Sequence, residues 1–354
     1  MIEQIYVVNF GCLRVVKARL TPLHAFIGPN DTGKSSMLRA LELVVLAAGR
    51  SPSRPLVGVG YNRLAAQVED RLVQAGVPGG ASYSVGRNGK RLFEGVTAPS
   101  GGGKQEPMAD LMTSQLLGEL GAAGPYRVLV ENLRGVRLLR LDPDALRLAS
   151  TLLPEGSSIG FADERGSGLP GVYDAIMNRG DDSFRSVADD VRTLFPTVKN
   201  LRLKTISPST KVIEVELTDG KKVTADEMSE GLLYYLGFAA IGYLEPTSLL
   251  LVEEPENGLH PSRIADIIHA LRAISERGTQ VVMATHSPLV INELRPEEVT
   301  VFTRDAEKGT IVTPILETPR FAERSQVYGL GELWLAYANG KDEGPLLGGE
   351  GTSA

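Results

Sequence analysis

Four residues constrain this chain more than any others. Gly28, Gly33, Lys34 and Ser35 satisfy the spacing G-x-x-x-x-G-K-[ST] within the stretch GPNDTGKSS, Gly28 to Ser36. Glycines at these positions let the backbone curl until successive N–H groups converge on one anion. The lysine adds a positive charge for phosphate oxygens, and the serine hydroxyl is placed for a divalent cation. Pro29, Asn30, Asp31 and Thr32 complete the loop and Ser36 closes it. The flanks decide whether the match has meaning. The apolar run LHAFI ends at Ile27, and Leu38, Leu41 and Val45 then recur at i, i+3 and i+7. That spacing predicts a strand before the loop and a helix from Lys34 to Gly49 after it. Strand, glycine loop and helix in this order put a helix N-terminus beneath a phosphate. A second cluster, GGGKQ at Gly101 to Gln105, lacks the upstream glycine and the hydroxyl residue. It reads as an ordinary loop.

Composition narrows the rest. The chain has 354 residues, 42% of them hydrophobic, enough for a substantial core. A net charge of −6 gives no overall basic field, so any nucleic-acid surface would be a local patch. The single cysteine, Cys12, forbids an internal disulfide and fits a reducing compartment. No apolar run approaches the roughly 18 residues that a membrane span needs. The opening MIEQIYVVNF reads as a strand rather than a signal peptide. The expectation is a soluble, cytoplasmic protein with no membrane partner.

A second set of chemistry-bearing residues lies near the other end. Leu249 to Val252 is a continuous apolar run, as a strand buried on both faces requires, and it ends in Glu253 and Glu254. Two carboxylates there invite a division of labour: Glu253 toward the shell of Mg²⁺, Glu254 toward the water that attacks a terminal phosphate. A solvated acidic strand end is the plainer reading of such a pair. Next, Ile264, Ile267, Ile268, Leu271 and Ile274 form one helical stripe that Gly278 can end. A second buried strand, Val281 to Ala284, then leads to Thr285, His286 and Ser287. Ligands bind at the carboxyl ends of parallel strands, which singles out His286 as a phosphate contact. His24, His260 and His269 have no such placement and read as structural. Upstream, Ser229 can cap a helix from Glu230 to about Leu244, leaving free N–H groups for an anion. Taken alone, Ser229 is an ordinary cap.

Together these pieces resemble the ATP-binding cassette ATPases. Gly28 to Ser35 looks like the Walker A motif, Met228 to Gly231 like the signature motif, and Leu249 to Glu254 like Walker B. Asn257 to Pro261 is similar to the D-loop, and His286 to the switch histidine. Within the superfamily the resemblance is to the RecF, SMC and OLD branch, especially its compact AAA-type members. The opening IYVVNFGCLRVVKARLTPLHAFIGPNDTGKSSMLRAL and the stretch EEPENGLHP carry it. Glu253 stands where Walker B commonly has Asp, and Glu230 where the signature commonly has Gly or Asp. The resemblance implies an α/β P-loop NTPase head of the ABC type. It implies that ATP and Mg²⁺ are the cofactors, with Lys34, Glu254 and His286 catalytic and Ser35 and Glu253 on the metal. Gly28 to Ser36 would hold the nucleotide, joined by Ser229 and Gly231 across an ATP-sandwiched homodimer.

The expected organisation is one head over residues 1–339 with a disordered tail at 340–354. Residues 50–227 form an insert between the Walker A and signature regions. SYSVGRNGKRLFEG reads as a hairpin turning at Asn88-Gly89, and Tyr126 to Val130 and Val136 to Leu141 read as strands. Phe184, Val187, Ala188, Val191 and Phe195 share one helix face, with Ser183 as cap. KVIEVELTDGKKV alternates and turns at Asp219-Gly220. The insert is therefore expected to hold an antiparallel sheet and a small helical lobe. Without sustained heptads there is no long coiled coil. Arg134, Arg137, Arg140 and Arg147 form one basic cluster and Lys199, Arg202 and Lys204 another. Solvated surface is the usual meaning of such clusters; DNA contact is the sharper one.

Three functions compete. The first is an ATP-driven switch that dimerises on ATP and signals to DNA or to a separate effector protein, as relatives do in DNA repair or antiphage defence. The second is an OLD-type ATPase-nuclease on one chain, which needs a Toprim domain with a D-x-D pair. The 68 residues after His286 contain only Asp305 and Asp342 as aspartates. The third is the nucleotide-binding subunit of a transporter, but MSEGL lacks the glutamine of the fuller signature.

Overall fold

The computed structural model describes residues 1–48, 70–76, 82–88, 91–97, 132–133, 135–154, 156–319 and 321–338. Gly49, the Asn88-Gly89 turn beyond Asn88, GGGKQ, Tyr126 to Val130, Arg134 and the tail 340–354 lie outside the described residues. Contacts divide the chain into two compact units. The first comprises residues 1–138, 247–254 and 272–354, and the second residues 139–246 and 255–271.

The first unit is built on two sheets. The strands β1 (Gln4–Phe10), β2 (Leu13–Arg19), β4 (Asp70–Gly76), β5 (Ser82–Asn88) and β6 (Arg91–Thr97) form an antiparallel sheet in the order β2-β1-β4-β5-β6. Six more strands form the other sheet: β3 (Leu23–Ile27), β7 (Val136–Leu139), β12 (Leu249–Glu253), β13 (Gln280–Thr285), β14 (Val299–Asp305) and β15 (Gly309–Pro314). Their order is β15-β14-β3-β13-β12-β7. Neighbours from β14 through β12 run parallel, and β15 returns antiparallel on β14. Every residue of β3 and β13 is buried, as strands covered on both faces require. The helix α1 (Lys34–Ala48) shares one core with both sheets through Met37, Leu38, Leu41 and Val45, with Phe10, Leu13, Val16, Leu249, Val282 and Phe302.

The antiparallel sheet joins distant parts of the chain. Strands β4 to β6 belong to the stretch read as an insert, yet β4 pairs with β1 from Gln4↔Gly76 to Val8↔Leu72. The unpaired side of β1 is a row of N–H and C=O groups that must find partners, and β4 supplies them.

The second unit carries a further antiparallel sheet and several helices. Strand β10 (Thr210–Leu217) pairs with β8 (Ser150–Thr151), β9 (Val198–Ser207) and β11 (Lys222–Thr224). Gly220, at φ 84°, supplies the left-handed turn before β11. Its helices include α2 (Pro143–Leu146), α3 (Leu169–Met177), α4 (Ser183–Leu194) and α5 (Glu230–Ile241). The helix α6 (Pro261–Glu276) buries Ile264, Ile267, Ile268 and Leu271, while Ile274 is half-buried. On α4 the buried stripe is Val187, Ala188 and Val191. The cap of α4 is Asp182 rather than Ser183, because Asp181 Oδ1 takes the Ser183 amide at 2.9 Å and the first turn forms one residue early. The strand from Val136 stops at Leu139, not Leu141. Asp142 there turns to cap α2, accepting from Asp144 and Ala145 ahead of Pro143. Helix α5 ends at Ile241 rather than Leu244. Lys199 and Arg202 on β9 both pair with Glu216, at 2.8 Å and 2.5 Å, so that basic cluster is partly neutralised.

His24 illustrates how tightly the first unit is closed. It is 2% exposed, 5.4 Å from the Phe26 ring, and lies between Thr21 and Thr300. The Thr21 hydroxyl donates to Leu23 O, so it accepts from Nδ1–H at 3.1 Å. That leaves Nε2 to accept from Thr300 Oγ1 at 2.9 Å. Burial holds the imidazole neutral and lowers its pKa to about 3, against a weaker opposite pull from Glu298. Because the folded pKa lies below the unfolded one, the unfolded chain binds the extra proton between pH 6.5 and 3. Stability should therefore fall by about 1 kcal/mol per pH unit from this group as pH drops through that window. Denaturant unfolding at pH 7 to 4 should show a shallower decline in His24→Gln than in the parent chain. Parallel declines would contradict the neutral, buried assignment.

Candidate functional site

The register of the parallel strands places the site. Ile27 lies opposite Thr285, and Ala284 lies opposite Glu253. The next residues, Gly28, His286 and Glu254, therefore emerge side by side at the carboxyl edge of β3, β13 and β12, where such sheets bind ligands.

The loop after β3 is shaped by sterics. A Cβ on Gly28 would lie 2.3 Å from Phe302 O, and one on Gly33 would lie 2.7 Å from Leu13 Cδ2. Gly33 also has φ 103°. Asp31 takes φ 64° at the exposed apex beside Asn30, where Arg304 Nη1 donates to its carbonyl at 3.1 Å. Thr32 Oγ1 donates to Pro29 O at 2.9 Å, and Thr310 Oγ1 donates to Thr32 O at 2.9 Å. So the loop is braced by β14 and β15. Cys12 Sγ lies 3.6 Å from Ser36 Oγ. These bracing residues are absent from the motif, and nothing local in the sequence points to them. Lys34, only 5% exposed, donates to Gly28 O at 2.7 Å and Pro29 O at 2.8 Å. Its ammonium is thus folded back over the anion-facing curl, satisfied while buried.

Two pairings join the motifs within this unit. The Ser35 hydroxyl donates to Glu253 Oε1. A hydroxyl and a carboxylate oxygen side by side beneath a phosphate loop are the hard donors that Mg²⁺ prefers, so the residues fit the metal. One residue on, Glu254 Oε2 lies 2.7 Å from His286 Nδ1. Glu254 is held at φ 48°, while its N–H still donates to Ala284 O at 2.8 Å. A non-glycine residue in that region stores strain and is found where a side chain must be aimed. His286 is 54% exposed at its side chain and Glu254 18%, so the imidazole faces solvent while the carboxylate is sheltered.

The other predicted residues belong to the second unit. Ser229 is exposed and caps α5, its Oγ accepting from Leu232 N at 3.4 Å. Gly231 lies in the first turn; a Cβ there would stand 3.4 Å from Gly258 O. A Cβ on Gly258, at φ 68°, would meet the Tyr234 ring at 2.1 Å, so the turn Asn257 to Pro261 packs directly on α5. His260 Nδ1 contacts Ser262 Oγ at 2.8 Å at the start of α6, and His269 is exposed on that helix.

Comparison with known proteins bears on the fold. Residues 119–292 match a family model described as "AAA domain, putative AbiEii toxin, Type IV TA system", and residues 1–53 match an AAA ATPase domain model. An OLD nuclease from Thermus scotoductus is 24% identical over 363 aligned positions, covering 91% of this chain. The chain spans 66% of that relative's length. A solved SMC head, bound to the C-terminal winged-helix domain of ScpA, superposes with a TM-score of 0.57 at 14% identity. That match covers 88% of this chain and 97% of the other. The fold is a mixed α/β P-loop ATPase fold like that of an SMC head. The resemblance read from the motifs and the mixed α/β head expected from them are both met. Among the described residues this ATPase fold has no helix longer than the 16 residues of α6 and none able to cross a membrane.

Proposed function

We propose that the chain is an ATP-driven switch that binds ATP with Mg²⁺, dimerises around it, hydrolyses it and signals to a separate effector protein. The observation that carries this reading is the pairing of Ser35 with Glu253 and of Glu254 with His286 at the ends of adjacent parallel strands. In this reading the Gly28 to Ser36 loop holds the phosphates and Lys34 turns from the Gly28 and Pro29 carbonyls to the β- and γ-oxygens. Ser35 and Glu253 hold Mg²⁺, which supplies charge neutralisation at the phosphates when bound. Glu254 accepts a proton from the attacking water, and His286 orients that carboxylate and contacts the terminal phosphate. Ser229 and Gly231 meet the nucleotide of a second protomer.

The AbiEii and toxin–antitoxin wording of the matching family, with an OLD nuclease among the relatives, favours a role in defence over one in repair. A protein effector is favoured over DNA, because Glu216 already engages Lys199 and Arg202.

The test is nucleotide binding. Lys34→Ala should weaken Mg·ATP affinity about 10- to 100-fold in calorimetry, the worth of a charge-assisted contact to phosphate. Unchanged affinity would refute the nucleotide assignment.

A further inference from the structure

We propose that Trp334 is a positioning residue for His286, so that the helix α9 (Leu330–Ala338) forms part of the support of the hydrolytic site; this rests on the ATPase reading above. The imidazole of His286 is more than half exposed, so packed neighbours do not cage it. Its aim depends on the backbone that carries it. On the inner side, Thr285 Oγ1 accepts from Ser287 N at 2.9 Å and tightens the turn after β13. On the outer side, the His286 carbonyl accepts from Trp334 Nε1 at 2.9 Å. Trp334 is the only tryptophan of the chain and is 4% exposed. A buried indole N–H must find an acceptor. Here the acceptor is the peptide group of the residue whose side chain meets Glu254.

Trp334 is itself held. Gly331 N donates to Asn292 Oδ1 at 2.8 Å, and Leu333 is 2% exposed. A Cβ on Gly331 would stand 2.2 Å from Pro288 O, so only glycine allows α9 to approach the short helix α7 (Pro288–Asn292) this closely. The chain segment 286–292 is therefore gripped at both ends by α9, through His286 O and Asn292. A small rotation of this loop would swing the imidazole away from Glu254, and misplacements of about 1 Å can cost catalysis up to about 100-fold.

The experiment is a double-mutant cycle. Trp334→Phe keeps an aromatic ring there, though a smaller one, and removes the donor. It should lower kcat about 5- to 10-fold with KM and ATP affinity unchanged. In the His286→Ala background the same change should alter kcat by less than about 2-fold, because the group it positions is gone. In nucleotide-free protein, amide exchange at residues 285–287 should quicken about tenfold in Trp334→Phe. Asn292→Ala, which frees Gly331, should show the same pattern and keeps the test open if Trp334→Phe misfolds. Parent-like kcat in the variants, an equal loss with and without His286, or unchanged exchange would each overturn the proposal. A parent chain that hydrolyses no ATP would overturn the ATPase reading and this one with it; a parent that hydrolyses ATP at the same rate as Trp334→Phe overturns this one alone.

Discussion

Glu254→Gln protein is expected to bind Mg·ATP about as tightly as the parent chain and to hydrolyse it roughly 100- to 1,000-fold more slowly. The amide is nearly the same shape as the carboxylate and can still lie against the His286 ring, so the loop geometry should survive. What is lost is the ability to take a proton from water. The strained φ of 48° matters here, because it turns the chain at the end of β12 and sends consecutive carboxylates to different partners. Glu253 meets Ser35, and Glu254 meets His286. Glu253→Gln should therefore weaken the dependence on Mg²⁺ more than it slows the chemical step. Single-turnover hydrolysis against titrated Mg²⁺ separates the two. If Glu253→Gln stalls the chemical step and Glu254→Gln alters only the metal dependence, the roles are reversed.

The parts of this arrangement that sequence makes legible are those whose physics is local. Gly28 and Gly33 are readable because the loop forbids a Cβ there whatever surrounds it. The uninterrupted apolar runs of β12 and β13 are readable because strands buried on two faces have no polar side to show. Ser229 is readable as a cap because its hydroxyl and the helix it starts are neighbours in the chain. What fails is pairing between distant segments. Nothing in residues 70–76 announces that they add to β1, since an alternating strand can satisfy any edge of suitable register. Asp182 rather than Ser183 stands at the N-cap of α4, because Asp181 takes the Ser183 amide and lets the first turn start there. The grip of Trp334 on His286 spans 48 positions and runs through a main-chain carbonyl, which carries no side-chain signature. The bracing of the phosphate loop by Arg304 and Thr310 also acts on carbonyls, those of Asp31 and Thr32. In both cases the functional side chain was visible, and the scaffold that aims it was not.

The proposed dimer makes the second large prediction, because it assigns the two halves of each site to different protomers. Ser229→Arg should leave ATP binding intact and abolish nearly all hydrolysis. The position is exposed, so the substitution should not disturb the buried body of α5, where Leu232 to Phe238 pack. Arginine removes the capping oxygen and fills the space in front of the free N–H groups. Lys34→Ala should be inactive for the opposite reason, keeping an intact Ser229 but lacking the charge that holds phosphate. Neither protein alone can build a site. In a mixed dimer, the phosphate loop of the Ser229→Arg protomer faces the intact α5 of the Lys34→Ala protomer, and one of two sites is whole. Random mixing in equal amounts makes half the dimers mixed, so about a quarter of the parent rate should return if the sites act independently. Sedimentation with ATP, run beside the assay, establishes that mixed dimers form. Mixed dimers that recover no hydrolysis would exclude the shared site, as would a parent chain that remains monomeric while hydrolysing ATP at its full rate.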